Sequence, residues 1–211
     1  MRSRVASPDL VATAGKTSEP EAAGLLLHRW RRLDWRFLFP SAEWTRVAWA
    51  GAVDEGLREA LPLLGSEVHE PVSAAEWTSL AGSCDVVVLV QPTPAQLALA
   101  VGAPRPGGWL YAEVRRALRP TGPRSLLGWR RAFVRSGLDP VAVHWHTPGL
   151  TDTERIISVD AVTAVRHALR AHGGMLRRVR AGITDLLLLC RLFPVVVPEG
   201  SVTGRRPLTR P

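Results

Sequence analysis

His144 and His146 are the pair best suited to proton chemistry in this chain. They alternate along Val141 to His146, a run that reads as a strand, so both imidazoles fall on one face. An imidazole so placed can take a proton from an oxygen or nitrogen nucleophile. Paired strand histidines are also half of a metal site, but no third ligand stands at metal-binding spacing. Glu113 is a further candidate, either as a base or as a group that orients a substrate; its alternative role is a salt bridge. Covalent nucleophilic chemistry finds no support, because neither a Gly-x-Ser-x-Gly elbow nor a Walker loop is present. His28, His69, His167 and His172 form no constellation.

The elements that must position these residues are legible around the middle of the chain. Cys84 to Val90 is a β-branched apolar run closed by Gln91 and Pro92. Arg105 to Val114 opens on a Pro-Gly-Gly turn and continues as a second apolar strand. Thr93 to Ala103 between them has helix length. Two near-continuous apolar strands joined by a helix read as a βαβ unit in a buried, mostly parallel sheet.

This pairing resembles the second half of a class I S-adenosylmethionine-dependent methyltransferase, where a "DVVVL…P" strand precedes an "RPGG-L-Y-EV" strand. The likeness covers about residues 40–160. It implies a Rossmann-like α/β fold with helices on both faces and a C-terminal antiparallel hairpin. The segment Arg31 to Pro40 is similar to one found ahead of the nucleotide-binding half in some actinobacterial methyltransferase-like proteins. It alternates charge with large apolar groups. It is expected to cap the sheet as a lid or edge element, with Trp35 and Phe37 as alternative walls of a substrate pocket.

The resemblance also implies a cofactor, S-adenosylmethionine, and where it would sit. Such a site needs a sharp turn after the first strand, where glycine lets backbone N–H groups approach the ligand. It needs an acidic group about 20 residues further on for the ribose hydroxyls. Gly51 matches the first glycine of the family pattern "VLD-GCGTG", and Glu70 stands at the acidic position. Ala52 and Val53 replace the tight glycine turn, and Trp49 replaces the usual acidic residue, so the motif is degenerate. Gln91, at the carboxyl end of its strand, is a further cofactor or substrate ligand. Asp85, at the opposite end of that strand, reads as structural.

The full order reads β-α-β-α-β-α-β-α-β-β. Asp54 to Leu64 forms a helix with Gly65 as its C-cap. Ser73 and Glu76 have capping-box spacing. Val141 to His146 and Arg155 to Val159 form the hairpin. Asp160 caps a helix through Leu169, and Met175 to Leu192 continues helically. Pro194 to Thr203 is expected as an edge strand. The family has a third strand and helix between the Glu70 strand and the Asp85 strand, and here the interval holds one helix only.

The chain has 211 residues, enough for one domain with a sizeable core. Residues 1–22 read as a disordered tail and 23–211 as a single domain. Net charge is +8, with arginine almost alone in supplying it, a bias that matches a high-GC bacterial genome. The basic clusters are short and separated, so nucleic acid is not the expected partner. Ile183 to Pro198 is too short and too broken by Asp185, Arg191 and Pro194 to span a membrane. It is expected as buried helix and strand, with membrane-surface contact aided by Arg177, Arg178 and Arg180 as the alternative. Cys84 and Cys190 give neither metal spacing nor a disulfide framework, and a cytoplasmic location is expected.

Two functions follow as expectations. The first is methyl transfer from S-adenosylmethionine to a small-molecule or carbohydrate-type acceptor, with His144, His146 or Glu113 as base. The second is a non-catalytic methyltransferase-like scaffold or interaction protein that has lost cofactor binding and works through a protein partner.

Overall fold

Seven strands form one sheet in the computed structural model, which describes residues 30–41, 43–116, 122–171 and 192–208. In chain order the strands are β1 (Trp44–Gly51), β2 (Gly65–His69), β3 (Cys84–Val90), β4 (Pro104–Arg115), β5 (Val141–Thr147), β6 (Arg155–Ser158) and β7 (Glu199–Arg205). The helices are α1 (Glu55–Ala60), α2 (Ala74–Ser79), α3 (Pro94–Ala100), α4 (Leu126–Arg135), α5 (Val162–Ala171) and the single turn α6 (Phe193–Val196). Short 3-10 turns cover Asp34–Leu38 and Leu61–Leu63.

The strand order is β2-β1-β3-β4-β7-β5-β6. The first four strands of that order are mutually parallel. β7 runs antiparallel to both β4 and β5, so β5 points the same way as the first four. β6 closes the far edge as the antiparallel partner of β5, pairing His144 with Ser158 and His146 with Ile156. The Rossmann-like, mostly parallel α/β sheet is therefore present, with its hairpin at 141–158. In sequence no strand separates β2 from β3, and among the described residues β2 is the other edge of the sheet, beside β1.

Burial on both faces explains the apolar runs of β3 and β4. One face carries Ala48, Val87, Leu89, Leu110, Ala112, Val143 and Val202 under α2, α3, α4 and α6. The other carries Val47, Trp49, Val86, Val88, Val90 and Tyr111, packed by α1 and by Leu33, Trp35 and Phe39 from ahead of β1. Toward β7 and β5 this second face turns polar, with Glu113, Ser201, Thr203, His144 and His146 all buried.

Three expectations need correction. The C-terminal segment is not an edge strand: β7 covers 199–205 and is inserted between β4 and β5. Glycine is essential to that insertion, since a Cβ at Gly200 would strike the His144 carbonyl and Leu126 of α4. Gly65 is not a helix C-cap but the first residue of β2, set against the carbonyls of Trp44 and Thr45. The Ser73 hydroxyl does accept from the Glu76 amide, but Glu76 reaches back to the Val72 amide, one residue beyond the capping-box position. A complete capping box stands instead at Thr93 and Gln96.

Cys84 is buried as a free thiol. Cys190, the helix expected from Met175, Arg177, Arg178, Arg180 and residues 1–22 lie outside the described residues. Much of the arginine excess falls there too: Arg177, Arg178, Arg180 and Arg191 stand against Asp185 alone in 172–191. Among the described residues no helix is long and apolar enough to cross a membrane.

Candidate functional site

The carboxyl ends of the parallel strands are where an open α/β sheet binds ligands. Here that end of β1 and β4 is bridged by Arg32, from the segment ahead of β1. Arg32 is 4% exposed. Its Nη1 donates to Glu113 Oε1 at 3.3 Å and to the Leu150 carbonyl at 2.6 Å. Its Nη2 donates to Glu113 Oε2 at 3.3 Å and to Asp54 Oδ2 at 2.8 Å. Asp54 is also the N-cap of α1, taking the Leu57 amide at 2.9 Å. One guanidinium thus ties together the turn after β1, the end of β4 and the loop after β5.

The charges of this cluster are set by competition between burial and pairing. Burial alone would lower the Arg32 pKa, but Glu113 and Asp54 outweigh it and hold the guanidinium above its ordinary value. Burial raises the Glu113 carboxyl above the usual range, and Arg32 opposes that shift without cancelling it. Asp54 moves the other way: burial would raise it, but the Leu57 amide and Arg32 hold it below its ordinary value.

A set of hydroxyls, buried at Tyr111 and Ser201 and half-buried at Thr153, extends from Glu113 across the sheet. Tyr111 donates to Glu113 Oε1 at 3.3 Å. Ser201 Oγ lies 2.8 Å from His146 Nε2, and Thr153 Oγ1 lies 3.1 Å from His146 Nδ1. His144 is buried beside it, and its Nδ1 has no hydrogen-bond partner among the described residues. The two histidines share a face, as alternation requires. Burial lowers His144 to about 4 and His146 to about 3, the latter with help from His144 and Arg32. Neutral imidazoles of such low basicity are poorly matched to general-base work near neutrality. The Ser201–His146 contact is not a nucleophile–base pair either. Ser201 is fully buried, and a threonine hydroxyl stands where a carboxylate would orient the ring.

The four residues expected to face a cofactor are each engaged by the chain itself. Gly51 has φ +115°, and a Cβ there would run into the Val90 carbonyl of β3. Its glycine is required by that close approach between strands. The Ala52 amide donates to the same carbonyl at 3.1 Å, and the Val53 amide folds back to Gly51 O at 3.0 Å. Glu70, just past β2, pairs with Arg58 of α1 at 3.4 Å. The Arg58 guanidinium also lies over the Trp49 ring, 4.9 Å from its centroid. Gln91 has φ +51°, and its side-chain oxygen accepts the Arg115 amide at 3.0 Å. A nucleotide-type site needs free turn amides and an unengaged acid. As arranged here, the Ala52 and Val53 amides are taken by backbone carbonyls, and Glu70 is held by an exposed pair.

Sequence reading missed Arg32 as the organiser of this end, and with it Asp54, Tyr111 and Ser201. The signal for Arg32 was present in the charged-and-apolar alternation of Arg31 to Pro40, but nothing local tells which arginine is buried. Trp35 and Phe37 separate completely. Trp35 is 2% exposed and stacks on Tyr111, ring centroids 4.2 Å apart, whereas Phe37 is 67% exposed. Asp85 is structural in the manner expected, accepting the Thr45 and Arg46 amides at 2.8 and 2.9 Å and pairing with Arg105.

No protein-family model matches the chain, and no curated protein matches it in sequence. Among solved structures it is similar to phosphoethanolamine N-methyltransferase 2 of Haemonchus contortus in complex with phosphomonomethylethanolamine and S-adenosylhomocysteine. That likeness has 12% identity and a TM-score of 0.47, and covers 88% of this chain but 58% of that one. A SAM-dependent methyltransferase from Archaeoglobus fulgidus is similar at 11% identity and TM-score 0.43, covering 84% of this chain and 94% of that one. The [4+2]-cyclase SpnF is similar at 12% identity and TM-score 0.40, covering 93% and 86%. These likenesses carry no conclusion about chemistry.

Proposed function

We propose that this chain is a methyltransferase-like domain that has lost cofactor binding and serves as a scaffold or interaction protein. The observation that carries this reading is Arg32. Its guanidinium bridges the carboxyl ends of β1 and β4 and the loop after β5, held by Glu113, Asp54 and the Leu150 carbonyl. Methyl transfer from a sulfonium works chiefly by holding donor and acceptor in line. An end of the sheet already bridged by a buried ion pair is ill-suited to that task. Residues 23–211 acting as a single domain, and a cytoplasmic location, belong to this proposal.

Calorimetric titration of the folded protein with S-adenosylmethionine and S-adenosylhomocysteine tests it. The expected result is no saturable binding. Binding in the micromolar range overturns the reading.

One observation favours the other expectation, methyl transfer to a small-molecule or carbohydrate-type acceptor. Glu70 stands at the position for a ribose ligand, and it pairs with Arg58, with both side chains close to half exposed. An exposed pair of this kind holds its partners by at most about 1 kcal/mol, so a ligand frees Glu70 at little cost. Under this reading Glu70→Ala abolishes cofactor binding in the same titration.

A further inference from the structure

Charge is divided unevenly between the two ends of the sheet. From Glu43 to Asp85, through β1, α1, β2 and α2, eight acids stand against two arginines. From Val114 to Leu138, through the end of β4 and all of α4, there are seven arginines and no acid. The helices α3, α4, α5 and α6 pack on the face that carries Val87 and Val143, and none of the four contains Asp or Glu. On α4, Leu126, Trp129 and Phe133 turn into the core and leave Arg131, Val134 and Arg135 as one exposed stripe. Val134 is 56% exposed. Arg130 pairs with Asp160, but among the described residues no carboxylate pairs with Arg131 or Arg135. Arg135 Nε donates to the Arg131 carbonyl at 3.2 Å, which lays its side chain along the helix. α6 packs beside α4 and exposes Leu192 at its N-cap, with Val196 at its other end.

The rest of the chain supplies no net negative charge to cover this stripe. Residues 172–191 carry four arginines against Asp185, 117–121 carry Arg119, and 1–29 carry four basic residues against three acids. The partner must therefore bring the anions, and the surface selects among them. A single nucleic-acid strand is held by base stacking on aromatic rings as well as by arginine. Here Trp129, Phe133 and Phe193, the aromatic residues of these helices, are buried. A duplex is read by an element that enters its groove, whereas α4 is packed along the sheet. An anionic bilayer asks only for arginines with aliphatic neighbours on one side of the molecule. We propose that the α4 side of the protein docks on an anionic lipid surface, with Arg131 and Arg135 on the headgroups and Val134 between them. The acidic β2 end is then repelled, which orients the molecule. The inference does not depend on how the carboxyl end of the sheet is read.

Co-sedimentation of the full chain with phosphatidylcholine vesicles, with and without about one-third phosphatidylserine, tests it across a salt series. The expected result is binding to the anionic vesicles alone, weakening as salt rises. Arg131→Gln with Arg135→Gln is expected to weaken that binding at least about tenfold. Arg46→Gln with Arg58→Gln makes the same change in net charge at the acidic end and should leave binding within about twofold. No binding to anionic vesicles at low salt overturns the proposal. So does equal binding to pure phosphatidylcholine, because charge then plays no part. Equal losses from the two double variants overturn it too, since net charge and not the α4 stripe is then responsible. Retention on RNA that is lost with Arg131→Gln and Arg135→Gln, without binding to vesicles, assigns the stripe to nucleic acid and also overturns it.

Discussion

Arg32 Nη1 and Nη2 each lie 3.3 Å from one oxygen of Glu113, across 81 positions of the chain. Both side chains are buried, so the pair joins the segment ahead of β1 to the end of β4 in a setting where neither charge has water to fall back on. Breaking a buried pair from one side leaves the other charge uncompensated, at a cost of about 3–5 kcal/mol. Arg32→Met is therefore expected to destabilise the protein by about that amount in urea unfolding. Arg32→Met with Glu113→Leu should cost clearly less than the two single changes summed, because the one charge left without its partner, Asp54, is partly exposed and keeps the Leu57 amide. Strict additivity, or a loss under about 1 kcal/mol for Arg32→Met, means the pair does not hold this end together.

Gly51 and Glu70 will respond differently to substitution. A side chain at Gly51 meets both a left-handed backbone and the Val90 carbonyl. Gly51→Ala is expected to cost several kcal/mol, about what strained backbone and overpacking give together. Glu70→Ala loses only a pair between exposed groups, worth about 0–1 kcal/mol. Thermal melts of the two variants check this. Gly51 substitutions cannot then serve as probes of ligand binding, whereas Glu70→Ala can.

Trp35 and Phe37 make a matched pair of controls. Trp35 is buried between Tyr111 and Trp44, with centroids 4.2 and 5.8 Å away, and Phe39 packs edge-on at 6.1 Å. Trp35→Ala is expected to cost about 3–5 kcal/mol. Phe37→Ser, at an exposed ring, should stay within about 0.5 kcal/mol. Equal losses in urea unfolding would contradict the packing of this segment against the sheet.

The contrast between these residues marks what a sequence can show. β3 and β4 were legible because burial on both faces leaves an unbroken apolar run, and the β5–β6 hairpin because alternation and Pro148-Gly149 coincide. β7 was not legible as an interior strand. Gly200 and Gly204 weaken its pattern, and its place is dictated by contacts with β4 and β5 that are remote in the chain. The histidines and Glu113 were found as residue types, and their shared face followed from strand period. Their state was not, because it depends on Arg32, a residue that sequence places only in a charged stretch. Local rules give periodicity and caps; the closing of the site is a long-range event.

The buried histidines make the protein acid-sensitive in a defined window. Burial holds His144 at about 4 and His146 at about 3, against an ordinary 6.5. The folded state therefore binds fewer protons than the unfolded chain below pH 6.5. Their contribution is fully present above that value and is lost as pH falls toward the folded values. Each histidine is expected to remove about 1 kcal/mol per pH unit through this range. Asp54, lowered in the fold, adds to the loss below its ordinary range. Glu113, raised in the fold, works in the opposite sense, contributing at low pH and losing that contribution as pH rises through its shifted value. Because two histidines oppose one glutamate and their shifts are large, the net slope between about pH 6.5 and pH 4.5 should be a loss on acidification. Urea unfolding at intervals across this window measures it directly. His144→Met removes one of the two groups and should reduce the slope by roughly half without changing its sign. A stability that stays flat down to about pH 5 would mean that neither imidazole is held neutral by burial.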